Sequence, residues 1–300
     1  MSIKKVTRQP NQNEELIFDC SHRVIFGNCR EILSDLTDNV DLTFLDPPFN
    51  QQKDYFSCAD DLPESEYWEN MRGVCANVFD LTTDGGAVYF MQREKNAENV
   101  LRVLRETGWT LQNLIIWKKM TSAVPSTLRY GKAFQTIAFA TKGKRPRIFN
   151  RLRIDPPLLK NQKRERENGI FVTDVWDDIR ELTSGYFAGD EAIRNKNGER
   201  FHKQQSPLAL LLRIILTSSK IGDVVLDPFA GTGTCAVAAK QLKRNSISIE
   251  INEENVKQIK TRLNSICKAD LIDKYFGGYL CTENLAEIWE IDLNSLTVSA

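Results

Sequence analysis

Seven short runs of hydrophobic, β-branched and aromatic residues recur along the chain, and patterns with helical spacing separate them. The runs cover residues 23–26, 40–45, 86–91, 111–117, 135–140, 223–227 and 246–251. Most are continuously apolar, as expected for strands that are covered on both faces of a parallel sheet. The pattern predicts an α/β fold with a doubly wound, seven-stranded, mostly parallel sheet of the Rossmann-like type.

Four segments between these runs are typical of amphipathic helices. Residues 64–79 place their apolar side chains on one stripe, and residues 93–108 end on Gly108, a helix-stopping residue. A third helix is expected to begin with Ser206 as its N-cap and Pro207 in its first position. A fourth begins at Asn252.

The alternation of strands and helices is interrupted between residues 143 and 200, where charged residues, Asn, Gly and Pro dominate. We interpret this stretch as an inserted region with a separate task. The sheet-forming domain then consists of residues 22–142 and 201–268. Residues 1–21 form an N-terminal extension, and the weakly patterned residues 269–300 form a C-terminal tail.

Composition excludes several classes of protein. The 300 residues contain no apolar run of 18, and the first 15 residues are polar, so we expect a cytoplasmic protein without a membrane span or signal peptide. The seven cysteines show no C-x-x-C spacing, and only two histidines are present. Neither a disulfide framework nor a metal site is expected.

The net charge is zero, but positive charge is concentrated in residues 142–166, which contain ten Lys and Arg against two acids. An excess of +8 with interleaved Phe149 and prolines favours contact with nucleic-acid phosphates over a solvated loop. The candidate DNA-binding residues are Arg145, Arg147, Arg151, Arg153, Lys160 and Lys163.

The stretch FLDPPFN, residues 44–50, ends one of the predicted strands. Consecutive prolines cannot donate to a strand ladder, so the strand stops at a rigid corner with a carboxylate and an aromatic ring. We expect this corner to hold Asp46 and Phe49 in the open. Asp46 and the Pro47 carbonyl can accept both N–H bonds of an amino group, and Phe49 can stack on a base turned out of a duplex.

A second signal is VVLDPFAGTGT, residues 224–234, in which a strand is followed by a glycine-rich turn and a helix. Gly231, Gly233 and Ala236 match G-x-G-x-x-A, and Glu250 ends the next strand, where an acid suits a ribose diol. The arrangement predicts a nucleoside-bearing cofactor. The glycine pattern alone is compatible with an NAD-dependent oxidoreductase, but D-P-P-F at a second strand end favours methylation of an amino group.

DPPFN and DPFAGTGT resemble motifs IV and I of the S-adenosylmethionine-dependent DNA amino-methyltransferases. Their order, with a basic stretch between them, is similar to that of the permuted β group, whose target-recognition region lies between the two motifs. GNCREIL, FHKQQSPLALLLRII and LKRNSISIEINEENVKQIKTRL are similar to further family segments, so the resemblance covers roughly residues 22–265.

The resemblance implies a methyltransferase that acts on a flipped base in double-stranded DNA with S-adenosyl-L-methionine as cofactor. It implies catalytic roles for Asp46, Pro47, Pro48 and Phe49 and assigns residues 143–200 to target recognition. The implied cofactor-binding residues are Asn28, Cys29, Asp46, Asp227, Phe229, Ala230, Gly231, Gly233, Thr234, Glu250 and Ile251.

In the resembling family, Asp at the first position of motif IV goes mostly with adenine N6, and Ser with cytosine N4, so adenine is favoured. Cytosine N4, an RNA substrate and a non-catalytic nucleic-acid-binding module stay open as alternatives. A cognate restriction endonuclease is a candidate partner, and the chain is expected to be a monomer or a homodimer.

Two positions depart from the family pattern. Asn28 stands where Asp is usual, at a position implied to contact the cofactor adenine, and Ser206 stands where Lys is frequent.

A second D-P-P, at residues 155–157, lacks a following aromatic and lies beside alternating arginines. We interpret it as a turn in the basic region.

Overall fold

The computed structural model describes residues 20–50, 62–120, 125, 127–155, 167–182, 190–194, 197–199, 201 and 205–289. Lys160, Lys163 and both prolines of the second D-P-P lie outside these ranges. None of the helices described combines the length and apolar character needed to cross a membrane.

The strands are β1 (His22–Phe26), β2 (Val40–Leu45), β3 (Thr82–Arg93), β4 (Trp109–Lys118), β5 (Phe134–Lys142), β6 (Arg153–Ile154), β7 (Ile170–Phe171), β8 (Val175–Trp176), β9 (Val224–Asp227) and β10 (Asn245–Glu250). Eight of them form one sheet in the order β1-β10-β9-β2-β3-β5-β4-β8, in which β5 alone runs antiparallel to its neighbours. The seven predicted strands and the mostly parallel sheet are confirmed. The two-residue β8 adds an eighth strand, and β6 pairs with β7 separately.

The helices are α1 (Cys29–Asp35), α2 (Glu64–Leu81), α3 (Ala97–Glu106), α4 (Leu208–Ser218), α5 (Thr234–Gln241), α6 (Glu253–Asn264) and α7 (Leu285–Trp289). α1, α2 and α3 cover one face of the sheet, and α4 and α5 cover the other. The β2 side chains divide between the two cores: Leu42 and Phe44 belong to the one that includes α4, and Val40 and Leu45 belong to the one that includes α2.

Of the two predicted helix N-caps, one is confirmed and the other is wrong. Asn252 caps α6 by accepting hydrogen bonds from the amides of Glu254 and Asn255. The predicted Ser206 cap is wrong, because α4 begins at Leu208 with Pro207 at the N-cap, and the Ser206 side chain turns away to Asp46.

The point at which the sheet changes its winding direction fixes where a ligand can bind. β9 and β2 are neighbours, yet the chain continues from β2 to β3 on one side and from β9 to β10 on the other. The crossovers therefore diverge and leave a crevice above the carboxyl ends of β9 and β2, which is the usual binding position in such sheets.

The described part of the inserted region packs against the main sheet. β8 pairs in parallel with β4, and the Trp117 indole donates to the Ile179 carbonyl at 2.9 Å. The described part of the C-terminal segment, residues 269–289, is also structured: Arg244, fully buried, donates to the Ile288 carbonyl at 2.6 Å, and Trp289 is buried. The weak sequence pattern of this segment reflects short 3₁₀ turns rather than a lack of fold.

A polar cluster ties the segment after β5 to the amino ends of the parallel strands. The Arg147 guanidinium pairs with Asp41, at the start of β2, at 3.0 Å and with Asp223, just before β9. The Arg147 amide donates to the Gly85 carbonyl at 2.7 Å. Arg147 is thus held at the edge opposite the crevice, where its guanidinium has a structural role, and its assignment as a DNA-binding residue stays a prediction.

We expect Arg147→Ala to lower the free energy of unfolding by about 1.5–3 kcal/mol, because it leaves two partly buried carboxylates without their partner. Urea unfolding measures this. The matched control is the exposed neighbour Arg145, whose replacement by Ala is expected to change stability by less than about 0.5 kcal/mol. Equal effects of both variants would contradict the structural role.

Candidate active site

Three carboxylates lie at the carboxyl ends of three neighbouring strands. Asp46 directly follows β2, Asp227 ends β9, and Glu250 ends β10. The paired register of β10 with β9, and of β9 with β2, brings these ends to the same edge of the sheet. Sequence motifs some 180 residues apart therefore meet at the crevice where the winding direction reverses.

The D-P-P-F corner is held by a chain of hydrogen bonds. The Tyr67 hydroxyl, on α2, donates to the Pro48 carbonyl at 2.8 Å and accepts from the Gln92 amide at 2.9 Å. Tyr67 and Gln92 are both buried. Among the described residues none donates to the Pro47 carbonyl, so this oxygen keeps its full capacity as an acceptor.

Asp46 is bound by a neutral donor. The Ser206 hydroxyl donates to Asp46 Oδ2 at 2.9 Å. Burial raises the pKa of Asp46 to about 7, although the Ser206 hydrogen bond and the charge of Lys119 act in the opposite direction. The carboxylate is therefore poised near neutrality, where it can accept a hydrogen bond or a proton.

Phe49 differs from its sequence-based expectation. Its side chain is only 7% exposed, so the corner does not hold the ring in the open. Because a ring must present one face to stack on a base, Phe49 can act in that way only after its cover is displaced. Trp117, near the end of β4, is buried in the core.

The glycine-rich turn adopts backbone conformations that favour glycine. Gly231 has φ 51° and Gly233 has φ 81°, both in the left-handed region. A Cβ on Gly233 would lie 2.8 Å from Ile259, so α6 packs directly on the turn. The Glu250 carboxylate accepts from the Gly231 amide at 2.7 Å and from the Asn252 amide at 2.8 Å.

Asp227 is a buried carboxylate of the site whose ionisation is costly. Burial, together with the charges of Asp46 and Glu250, raises its pKa to about 8 against the hydrogen bond from the Phe229 amide, 3.1 Å away, which lowers it. Burial also raises the pKa of Glu250, against four stabilising hydrogen bonds. Such a group of carboxylates suits a cationic ligand.

The remaining predicted cofactor residues divide into two groups. Ala230, Thr234 and Cys29 are buried, and the Thr234 hydroxyl accepts from Arg262 at 3.3 Å, so these side chains support the turn and the core. Asn28 caps α1 and Ile251 is exposed, and both lie at the end of β1 and β10 beside Glu250. Sequence reasoning missed exposed Phe26, which pairs with Glu250 in register.

The four predicted DNA-binding residues that the structure describes are not brought to the crevice. Arg145 and Arg147 lie at the amino edge of the sheet, next to Gly85. Arg151 and Arg153 flank the ring of Phe171, with guanidinium carbons 4.2 and 3.8 Å from its centroid. These arginines are thus partly committed to an aromatic contact on the α4 side.

Sequence reasoning did not select the segment at the carboxyl edge of which the structure describes residues 119, 120, 125 and 127–133. It connects β4 to β5, which pair at Lys118 and Phe134. Leu128 is 93% exposed and Tyr130 96%, and both Lys118 and Arg129 are exposed. These side chains are therefore accessible at the carboxyl edge of the sheet.

The fold and the edge site define a Rossmann-like α/β enzyme with an acidic pocket for a nucleoside-bearing, cationic cofactor. Residues 40–261 match the model of the N6-adenine/N4-cytosine family described as DNA methylase. This match covers more than half of the chain, and the chain belongs to this family. It is an S-adenosylmethionine-dependent DNA amino-methyltransferase.

Curated relatives are similar over most of the chain. The Type II methyltransferase M.HpaI of Haemophilus parainfluenzae is 31% identical over 245 residues, which are 81% of this chain and 74% of that protein. The Type II methyltransferase M.HinfI of Haemophilus influenzae is 28% identical over 84% of this chain and 71% of its own. The DNA adenine methyltransferase YhdJ of Escherichia coli K12 is 30% identical over 75% and 76%.

Solved structures share the fold. The complex of M1.HpyAVI with SAM has a TM-score of 0.56 at 24% identity and covers 81% of this chain and 98% of that chain. The cytosine-N4-specific PvuII DNA methyltransferase has a TM-score of 0.58 at 16% identity, with 89% and 93% covered. At these identities the likeness establishes the arrangement of strands and helices.

The raised pKa of Asp227 predicts how the stability of the folded protein changes with pH. The folded-state pKa of Asp227 is raised from 3.8 to about 8, so the folded protein holds a proton that the unfolded chain has lost. This contribution is favourable at low pH and is lost as the pH rises from about 4 to 8. At pH 8, Asp227→Asn should therefore stabilise the cofactor-free protein.

We expect the Asp227→Asn melting temperature to exceed the wild-type value by about 2–4 °C for each kcal/mol relieved at pH 8, and the difference to vanish below about pH 4. Calorimetric titration should show weaker binding of S-adenosylmethionine, since a carboxylate is removed. A stability difference that does not depend on pH would refute the assignment of a buried, largely protonated acid.

Proposed function

We propose that this enzyme methylates the N6 amino group of adenine in double-stranded DNA. The observation that carries the proposal is the pair of acceptors at the corner after β2, Asp46 and the Pro47 carbonyl, beside an acidic cofactor crevice. The choice of adenine is supported by Asp at the first position of the motif. It is also supported by the name of YhdJ, a DNA adenine methyltransferase.

The acceptors act on the nucleophile. An exocyclic amino nitrogen is weakly nucleophilic because its lone pair is delocalised into the ring. Hydrogen bonds from its two N–H groups to Asp46 and the Pro47 carbonyl draw the nitrogen towards sp³ geometry and localise that lone pair. With a pKa of about 7, Asp46 is also matched to take up the proton that the nitrogen loses.

The crevice residues suit the cofactor. S-adenosylmethionine, when bound, supplies a methyl group on a positively charged sulfur. Asp227 and the turn at Gly231 and Gly233 would hold its polar groups at the start of α5, and Glu250 would accept from the ribose. Asn28, Phe26 and Ile251 lie at the same edge and would flank the adenine. The acidic pocket is chemically matched to a cation.

DNA is proposed to lie across the carboxyl edge, because a base must reach Asp46. Lys118 and Arg129 would contact phosphates there, and Leu128 and Tyr130 would contact the distorted duplex. Arg151 and Arg153 stay predicted contacts for the outer part of the duplex.

Since two relatives are named Type II methyltransferases, a cognate restriction endonuclease is proposed as the functional partner. The proposed assembly is a monomer or a homodimer.

The chemistry is tested by Asp46→Asn. The amide keeps one acceptor but cannot take a proton, so the methyl-transfer rate should fall about 10²- to 10⁴-fold while S-adenosylmethionine still binds. The assay is tritiated methyl incorporation, with nucleoside mass spectrometry of the wild-type product to show N6-methyladenine. Wild-type product containing N4-methylcytosine instead would overturn the choice of base. A well-folded, active Asp46→Asn variant would overturn the catalytic assignment.

The DNA surface is tested by salt titration. Replacing Lys118 and Arg129 together by Ala should weaken duplex binding and flatten its log–log salt slope by about 0.9 for each phosphate that is no longer neutralised. The control pair, Lys144 and Arg145, is exposed at the amino edge, and its replacement should leave both quantities unchanged. A change confined to the control pair, or to an Arg151/Arg153 double variant, would move the interface away from this edge.

A further inference from the structure

We propose that Ser206 is a positioning residue for Asp46: its hydroxyl holds Oδ2 so that Oδ1 faces the target amino group. The carrying observation is the 2.9 Å hydrogen bond from Ser206 Oγ to Asp46 Oδ2, which joins residues 160 positions apart. This inference rests on the proposed function of Asp46. It adds a residue that no part of the D-P-P-F motif supplies.

The backbone around Ser206 is fixed on both sides. The preceding Gln205 is buried, accepts from the Ile193 amide at 3.1 Å and donates to the Glu191 carbonyl at 2.9 Å. The following Pro207 caps α4, and its carbonyl accepts from the Leu210 amide. The start of α4 and the buried Gln205 side chain thus fix the backbone from which the Ser206 hydroxyl reaches Asp46. Precise sites need rigid support of this kind.

Ser206 limits the acceptors that the corner offers to a substrate. Tyr67 occupies the Pro48 carbonyl and Ser206 occupies Asp46 Oδ2. Asp46 Oδ1 and the Pro47 carbonyl accept no hydrogen bond from any of the described residues. An amino group has two N–H bonds, so the two remaining acceptors match it, and the nitrogen is held in one orientation.

A hydroxyl at position 206 also suits the charged groups around Asp46. Lys119 is the cation that acts on Asp46, and Asp227 is the neighbouring acid on β9. A neutral donor stabilises the Asp46 carboxylate without adding a positive charge beside a cationic cofactor. Because the Ser206 hydrogen bond lowers the pKa of Asp46, its removal should raise that pKa and leave more of the acid protonated at neutral pH.

The experiment compares Ser206→Ala with wild type in single-turnover methyl transfer from pH 5.5 to 9.5. We expect a rate about tenfold lower at pH 7, an acidic limb displaced to higher pH by up to about one unit, and partial recovery above pH 9. The KM values for DNA and S-adenosylmethionine should stay within about twofold. Ser206→Thr, which keeps the hydroxyl, should restore the wild-type profile.

Ser34→Ala, on the exposed part of α1, serves as the matched control and should behave as wild type. If Ser206→Ala fails to fold, Ser206→Cys replaces it, since a thiol has similar size and is a weak donor. A wild-type pH profile in the Ala or Cys variant would overturn the proposal, as would an equal loss at every pH in the Ala and Thr variants. The proposed function is tested by product analysis of the wild type alone. This inference is tested by the ratio of the methyl-transfer rates of variant and wild type across the pH range.

Discussion

The structure depends on one topological constraint: β9 and β2 are neighbours in the sheet, but their chains leave in opposite directions. Crossover connections therefore cannot cover the carboxyl ends of these two strands. Asp227 and Asp46 stand at those two ends, and Glu250 stands one strand further on. The permuted order of the two motifs along the chain does not matter, because the sheet brings both to the same crevice.

Electrostatic repulsion is built into this crevice. Asp46 and Glu250 both raise the pKa of Asp227, and burial raises that of all three acids. Backbone amides offset part of the cost: Glu250 accepts from Gly231 and Asn252, and Asp227 accepts from Phe229. The protein therefore holds acids that are destabilising on their own and that become favourable when a positively charged ligand binds. These acids thus lower the folding stability of the ligand-free protein and raise its affinity for a cation.

Much of the framework could be predicted from the sequence, since continuous apolar runs identify buried parallel strands without any tertiary information. The D-P-P-F and glycine motifs identified the two strand ends, and all three carboxylates were found. The burial of Phe49 and the fixing of Arg147 between Asp41 and Asp223 could not be predicted. They depend on which segments pack on one another, and a basic run looks the same at either edge of a sheet.

Ser206 shows the same limit at the level of a single side chain. Ser-Pro before an apolar helical pattern is an ordinary capping signal, and local sequence gives no reason to expect another partner. The structure moves the cap to Pro207 and frees the hydroxyl for Asp46, which lies on a strand end 160 residues earlier. A helix that packs antiparallel to β2 must begin beside the end of that strand. The fold itself thus turns a local capping residue into a partner of the central carboxylate.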